Sequence, residues 1–372
     1  MKIFPSKKQW SNWTLPSKYT VWGVAIAIIA FFLTVLLFFI GNYSNNERNK
    51  ELLLEIKKYQ PLDASVELRT KVRAADEQLS NPKTAEDFFL KAYAAQIDKN
   101  YDKAIEHYYK SLELGQSFQA YNNIGNVFFI GKQDYNKAIE YFQKAIELKP
   151  DLAEAYINMG SAYNGKQDYD KAIDFLKKAI ALKTDLAEAY NNMGDAYIGK
   201  NDYDKAIEYS QKAININPNI ASSYNILSIA YYRKQDYDKA IVFLQKVIEI
   251  KPDFEESYNN MGAVYFCKKE YDKAIDFFQK AIDLKPDYTE AYINMGSVYN
   301  SKQDYDKAIV FLQKAIEISP DYANTYNDMG VVYIGKKDYD KAIVFFQKAI
   351  DIKPDFAVAL DNIGRVYNQK LD

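Results

Sequence analysis

The stretch "QDYDKAI" at residues 167–173 returns letter for letter at 235–241 and 303–309, with near-copies between. Its tyrosine marks Tyr101, Tyr135, Tyr169, Tyr203, Tyr237, Tyr271, Tyr305 and Tyr339, a spacing of 34 residues without drift. A constant period of this length signals an array of like supersecondary units, so the length of the chain counts repeats rather than domains.

One period, residues 153–186, shows what the unit is. Tyr156, Met159, Gly160 and Tyr163 recur at i, i+3, i+4 and i+7, and Ala172, Ile173, Leu176, Ala179 and Ile180 do the same further on. Each set is one apolar helix face, which predicts a helical hairpin. Gly160 and Ala172 lack bulk where the two helices come closest, while Tyr156 and Tyr163 fill the space toward neighbouring helices. Within the quoted phrase, Asp168 is placed to cap the second helix, and Asp170 adds a negative charge to its first turn. Pro150, Pro218, Pro252, Pro286, Pro320 and Pro354 stop that helix, and Asp151, Asp253, Asp287, Asp321 and Asp355 follow as caps for the next. Glu154, Glu188, Glu256 and Glu290 each stand three residues after an aspartate, at capping-box spacing; the alternative is an acidic stripe for a basic ligand. Thr184 replaces the proline once, which predicts a looser junction there.

The period divides the chain into eight repeats, 85–117, 118–152, 153–186, 187–220, 221–254, 255–288, 289–322 and 323–356, with one unpaired helix at 357–370. The leading helix of the second repeat has one residue too many: "GNVFFIGKQDY" against "GSAYNGKQDY". The last helix leaves Gly364 without a second helix to cover it. Asn362, Arg365, Gln369 and Lys370 read as a polar cap, and end-to-end self-association is the alternative use of that end.

The pattern Tyr-x-x-(Met/Ile)-Gly-x-x-Tyr, then Ala, then Pro at this period resembles the tetratricopeptide repeat family over residues 85–372. The resemblance implies an all-α, right-handed superhelical solenoid of helix-turn-helix repeats whose concave groove binds a peptide or protein.

The amino terminus is of another kind. After a short basic tail (1–20), Val21 to Ile40 has twenty residues without charge, Asn, Gln or Pro, enough for a helix of roughly 30 Å, the thickness of a bilayer core. It reads as a transmembrane helix rather than a cleaved signal, whose apolar region is shorter and ends in small residues. Within about 15 residues of the span three basic residues precede it and two follow, which places the amino terminus in the cytoplasm and the repeats on the far side. Residues 41–84 form a charged stalk or cap, with helices expected near 46–60 and 62–80.

Composition narrows the chemistry. A formal net charge of −2 and a pI near 5.8 offer no basic surface to nucleic acid. Cys267 and His107 are the sole members of their types, which excludes an internal disulfide and Cys/His zinc sites. His107 is expected on an exposed helix surface. No phosphate loop, His-Glu-x-x-His or Gly-x-Ser-x-Gly occurs, so no cofactor and no enzymatic activity are expected.

The binding residues are sought on the leading helices. Positions 2, 5, 6, 9, 12 and 13 lie opposite the buried stripe. Position 6 is Asn123, Asn158, Asn192, Asn260, Asn294 and Asn362. This row is similar to the asparagine ladder of O-linked N-acetylglucosamine transferases, which implies a grip on peptide main chain; the alternative is that these amides bond neighbouring helices. The carboxylate clamp of chaperone-binding members needs basic residues at positions 2, 5 and 6, which are absent here. In 221–254 the asparagine is replaced by Ile226, continued by Ile229, Tyr232 and Arg233 and flanked by Ile198 and Phe266. An apolar cluster on a wet face reads as a partner-binding patch. Its alternative is burial by tight winding of the array. Cys267 reads as a small helix-end residue. Together these residues predict a membrane-anchored interaction scaffold for a peptide or protein partner, with a self-associating structural organiser as the second reading.

Overall fold

A computed structural model describes residues 51–55, 65–79 and 81–371. The expected membrane span at 21–40, the tail before it and parts of the stalk lie outside these residues. Among the described residues all regular structure is helical. They form two compact units, one ending at Pro150 and one running from Asp151. The first contains helices Val66–Gln78, Ala85–Ile97, Tyr101–Leu114, Phe118–Asn126 and Tyr135–Leu148. The second contains six hairpins, from Ala153–Gly165 with Tyr169–Leu182 to Ala323–Gly335 with Tyr339–Ile352, and then Ala357–Leu371 unpaired.

Every charged letter of the quoted phrase has a partner. Asp168 accepts a hydrogen bond from the Lys171 amide, as Asp134, Asp202, Asp236, Asp304 and Asp338 do in their repeats. Glu270, one methylene longer, makes no such cap. The lysine ammonium returns to the capping carboxylate (Lys171–Asp168, 2.8 Å) and lies over Tyr163, 5.4 Å from its ring centroid. The Tyr163 ring also stacks on Phe175 at 5.4 Å and 9°. The same stack recurs at Tyr197–Tyr209, Tyr265–Phe277, Tyr299–Phe311 and Tyr333–Phe345. Asp170 does more than favour a helix start. It pairs with Lys200 of the next repeat, a bridge repeated as Asp238–Lys268 and Asp272–Lys302 at 2.6 Å. Exposed pairs of this kind are each worth ~0.2–1 kcal/mol. They recur at the same place in successive repeats.

Gly160 faces the partner helix as expected: a β-carbon there would stand 2.6 Å from Leu176 Cγ and 3.3 Å from the Ala172 carbonyl. The turn between the helices holds its residue in the left-handed region without glycine, from Gln133 at φ 52° to Gln235 at 62°. The extra residue of the second repeat is absorbed as one π-helical turn, Val127–Gly131, in which the Lys132 amide donates to the Val127 carbonyl at 3.1 Å.

Three expectations fail. The leading helices are not capped by the post-proline aspartates; the cap positions are Leu152, Leu186, Ile220, Phe254, Tyr288 and Tyr322, with no side-chain hydrogen bond. The turn runs one residue further than the Asp-x-x-Glu spacing assumes, so the glutamates fall at the second helical residue and cannot close a capping box. Tyr258, Tyr292 and Tyr326 instead donate back to the carbonyls of Pro252, Pro286 and Pro320 (3.0, 3.2 and 2.9 Å). The Thr184 junction is not loose, because one apolar core runs through it from Ile157 to Ala230. His107 is half-buried, its ring 6.2 Å from that of Phe88, and burial pushes its imidazole pKa down.

Candidate functional site

The leading helices present position 6 beside position 5 of the preceding repeat, and this juxtaposition fixes the asparagine row. Asn294 Nδ2 donates to Asn259 Oδ1 and Asn362 Nδ2 to Asn327 Oδ1, each at 2.9 Å. Asn192 Nδ2 donates to Ser161 Oγ at 2.8 Å, and its own oxygen accepts from Asn191 Nδ2 at 3.1 Å. In the first unit Asn123 is buried and donates to the Tyr108 hydroxyl at 3.1 Å, which in turn donates to Gln96 Oε1 at 2.9 Å. The amide N–H groups therefore tie repeats together. Asn294 and Asn362 are both half-buried. Asn158 is hydrogen-bonded or otherwise paired as well, and Asn260 lines a cavity.

That cavity, about 250 Å³, lies between the leading helices Ala221–Arg233 and Glu255–Cys267. Ile229, Tyr232 and Arg233 form one wall, Glu256, Asn260 and Val264 the other, and Leu244 the floor. The Tyr232 hydroxyl is 3.3 Å from Cys267 Sγ; this contact, with burial, pushes the phenol up to about 12 and keeps it neutral. Arg233 is exposed. The cavity offers an apolar floor, a phenol edge, one cation, one carboxylate and one amide, a combination that suits a side chain and its adjoining peptide group.

Ile226 does not belong to the patch: it is 6% exposed and sits in the core with Met193, Tyr197 and Ala230. The cause lies one helix earlier. Where other repeats pack Leu176, Leu244, Phe278, Leu312 or Phe346 against the leading helix, the repeat 187–220 has Ser210. The isoleucine occupies part of the vacated volume. Ile198 is half-buried against the same core. Phe266 packs 5.9 Å from Tyr271 and lines a different cavity of about 150 Å³, with Ser297, Asn300, Ser301, Leu312 and Asp328.

Asp328 is the functional candidate that sequence reading passed over. It stands at position 6, the second place where the asparagine row is broken, and that single letter was the available signal. Burial pushes its carboxyl up to about 6, opposed only by a 3.3 Å hydrogen bond from Asn327 Nδ2. Asp195, at position 9 of its repeat, is shifted upward by the same cause although solvent reaches it. No group of His, Cys, Asp and Glu among the described residues is arranged to hold a metal ion.

Comparison with known proteins places this architecture. The tetratricopeptide repeat profile matches five overlapping windows between residues 116 and 355, and a Sel1 repeat profile matches 90–116. No curated protein matches the sequence significantly. Among solved structures, the Cut9-Hcn1 hetero-tetramer of APC/C aligns with a TM-score of 0.57 at 20% identity, covering 80% of this chain and 59% of that one. Yeast Tom70 aligns at 0.56 and 18%, covering 78% of this chain and 65% of its own. A tetratricopeptide repeat protein of Parabacteroides merdae aligns at 0.55 and 18%, covering 68% and 100%. The chain thus spans about three fifths of the Cut9-Hcn1 chain, and at these identities the likeness is one of fold. With the hairpins, their period and a profile match over most of its length, the chain belongs to the tetratricopeptide repeat family.

Proposed function

We propose that the chain is a membrane-anchored scaffold that holds an extended segment of a protein or peptide partner along the exposed face of its leading helices. The observation that supports this is the cavity where Ile229, Tyr232, Arg233 and Asn260 converge, because it joins an apolar floor to donors and acceptors on the face where Asn294 and Asn362 also stand. Tyr and Arg are the residue types that most often dominate such interfaces. In this reading 21–40 is the anchor and the repeats stand on the non-cytoplasmic side. Among the described residues no helix is long and apolar enough to cross a membrane. The anchoring itself is tested by whether the full-length chain resists carbonate extraction and loses that resistance when 21–40 is deleted.

Partner binding is tested by cross-linking the full-length chain in its native cell beside Tyr232→Ala/Arg233→Ala. A client lost from the variant, at unchanged helical content, supports the cavity as the binding site. Recovery of the same client by both forms rejects it. A second reading, self-association through the last helix, is favoured by the bare Gly364, where an added β-carbon would meet nothing within 4 Å, and by Val358, Leu360 and Tyr367, 54%, 46% and 53% exposed. It predicts recovery of the chain itself by both forms.

A further inference from the structure

The cavity lined by Phe266, Leu312 and Val332 carries a chemistry different from the first. Its polar lining is Ser297, Asn300, Ser301 and Asp328, with one carboxylate and no cation. Ser297 Oγ donates to the Ile293 carbonyl at 3.1 Å and Ser301 Oγ to the Ser297 carbonyl at 3.0 Å, so both hydroxyl protons point back into their own helix and both oxygens turn lone pairs outward. Asp328 adds a carboxylate whose Oδ1 takes one long bond from Asn327 and whose Oδ2 takes none. No described cation pairs with it, although Lys–Asp and Lys–Glu pairs recur along the rest of this unit. A half-buried carboxylate without a cation beside it is unfavourable. It stands at a position where six other helices of this chain carry asparagine, a neutral residue of the same shape.

We infer that this cavity is a subsite for a basic side chain, lysine or arginine, of the partner segment. The head group completes the ion pair that Asp328 lacks and donates to Ser297 and Ser301, while the aliphatic stem lies on Leu312 and Val332 against the ring of Phe266. The volume of about 150 Å³ admits one side chain and no folded element. The upward displacement of the Asp328 carboxyl agrees with a site built to be neutralised by a ligand. The inference rests on the groove reading above and adds a specificity to it.

The test is selection of random decapeptides on the full-length chain in detergent, sequenced by position, for wild type, Asp328→Asn and Tyr232→Ala/Arg233→Ala. Asp328→Asn restores the residue of the row, so the helix is expected to keep its structure. The wild type is expected to enrich Lys or Arg at one position by about tenfold, the effect of one charge-assisted hydrogen bond. Asp328→Asn is expected to lose that enrichment while still selecting peptides, and the Tyr232/Arg233 variant to keep it among whatever it retains. Peptides selected by the wild type with no basic preference, or with one that survives Asp328→Asn, overturn the subsite and leave the groove standing. Failure of the wild type to select any peptide overturns both.

Discussion

The Cγ2 methyl of Ile226 lies 3.4 Å from the place a β-carbon on Gly194 would take, in the hairpin of the preceding repeat. The hydroxyl of Ser210 lies beside it, 2.6 Å from the same point, buried and without a hydrogen-bond partner. One repeat lost the bulk that its second helix normally supplies, and the next lends an isoleucine in its place. Ile226→Asn is therefore expected to destabilise the chain by about 2–4 kcal/mol through a cavity and an unpaired amide. Ser210→Leu alone costs about 1–3 kcal/mol by overpacking. The double variant restores the pattern of the other repeats and should be more stable than the sum of the two changes by at least 1 kcal/mol or so. Urea unfolding of the four forms measures this, and strict additivity refutes the compensation.

Asp328 predicts a pH dependence of defined sign. Its folded carboxyl titrates at about 6, above the usual value near 3.8, so the folded state binds the proton more tightly. Stability contributed by this group is greatest below the unfolded value and is lost as pH rises through about 6. The penalty above that is at most about 3 kcal/mol, from the roughly two-unit displacement. Asp328→Asn should raise the melting temperature at pH 7.5 and leave it nearly unchanged at pH 4. An equal gain at both values excludes titration as the cause.

The left-handed residue in each turn is strained by its own β-carbon. Gln235 at φ 62° is representative. Gln235→Gly removes a steric penalty of ~1 kcal/mol, partly offset by the entropy of glycine in the unfolded chain. Gln235→Val adds branching at the same φ. The melting temperatures are expected to order as Gly above Gln above Val, and a Val variant as stable as the parent refutes the assignment.

Two glycines of identical repeat position should answer alanine oppositely. At Gly160 the new methyl meets Leu176 Cγ at 2.6 Å, whereas at Gly364 it meets nothing within 4 Å. Gly160→Ala should lower stability by about 1–3 kcal/mol. Gly364→Ala should raise it by up to about 1 kcal/mol through helix propensity. Circular dichroism melts of both decide the matter.

The sequence by itself determined the period, the helical hairpin, its start at Asp168 and the close approach at Gly160, because each is written within a single 34-residue unit and repeated in register. It also displayed every break in the pattern: Ile226, Asp328, Ser210 and the extra residue near Phe129. What each break means was decided by tertiary structure. Ile226 reads as an exposed patch until Ser210, sixteen residues earlier, is seen to leave space for it. The asparagines read as donor and acceptor for a peptide until position 5 of the preceding repeat is found beside them. Both facts concern neighbours from different turns of the array. A linear pattern gives the face on which a side chain lies, but the hydrogen bonds it makes and the volume it fills depend on what the adjoining repeat places within a few ångströms of it.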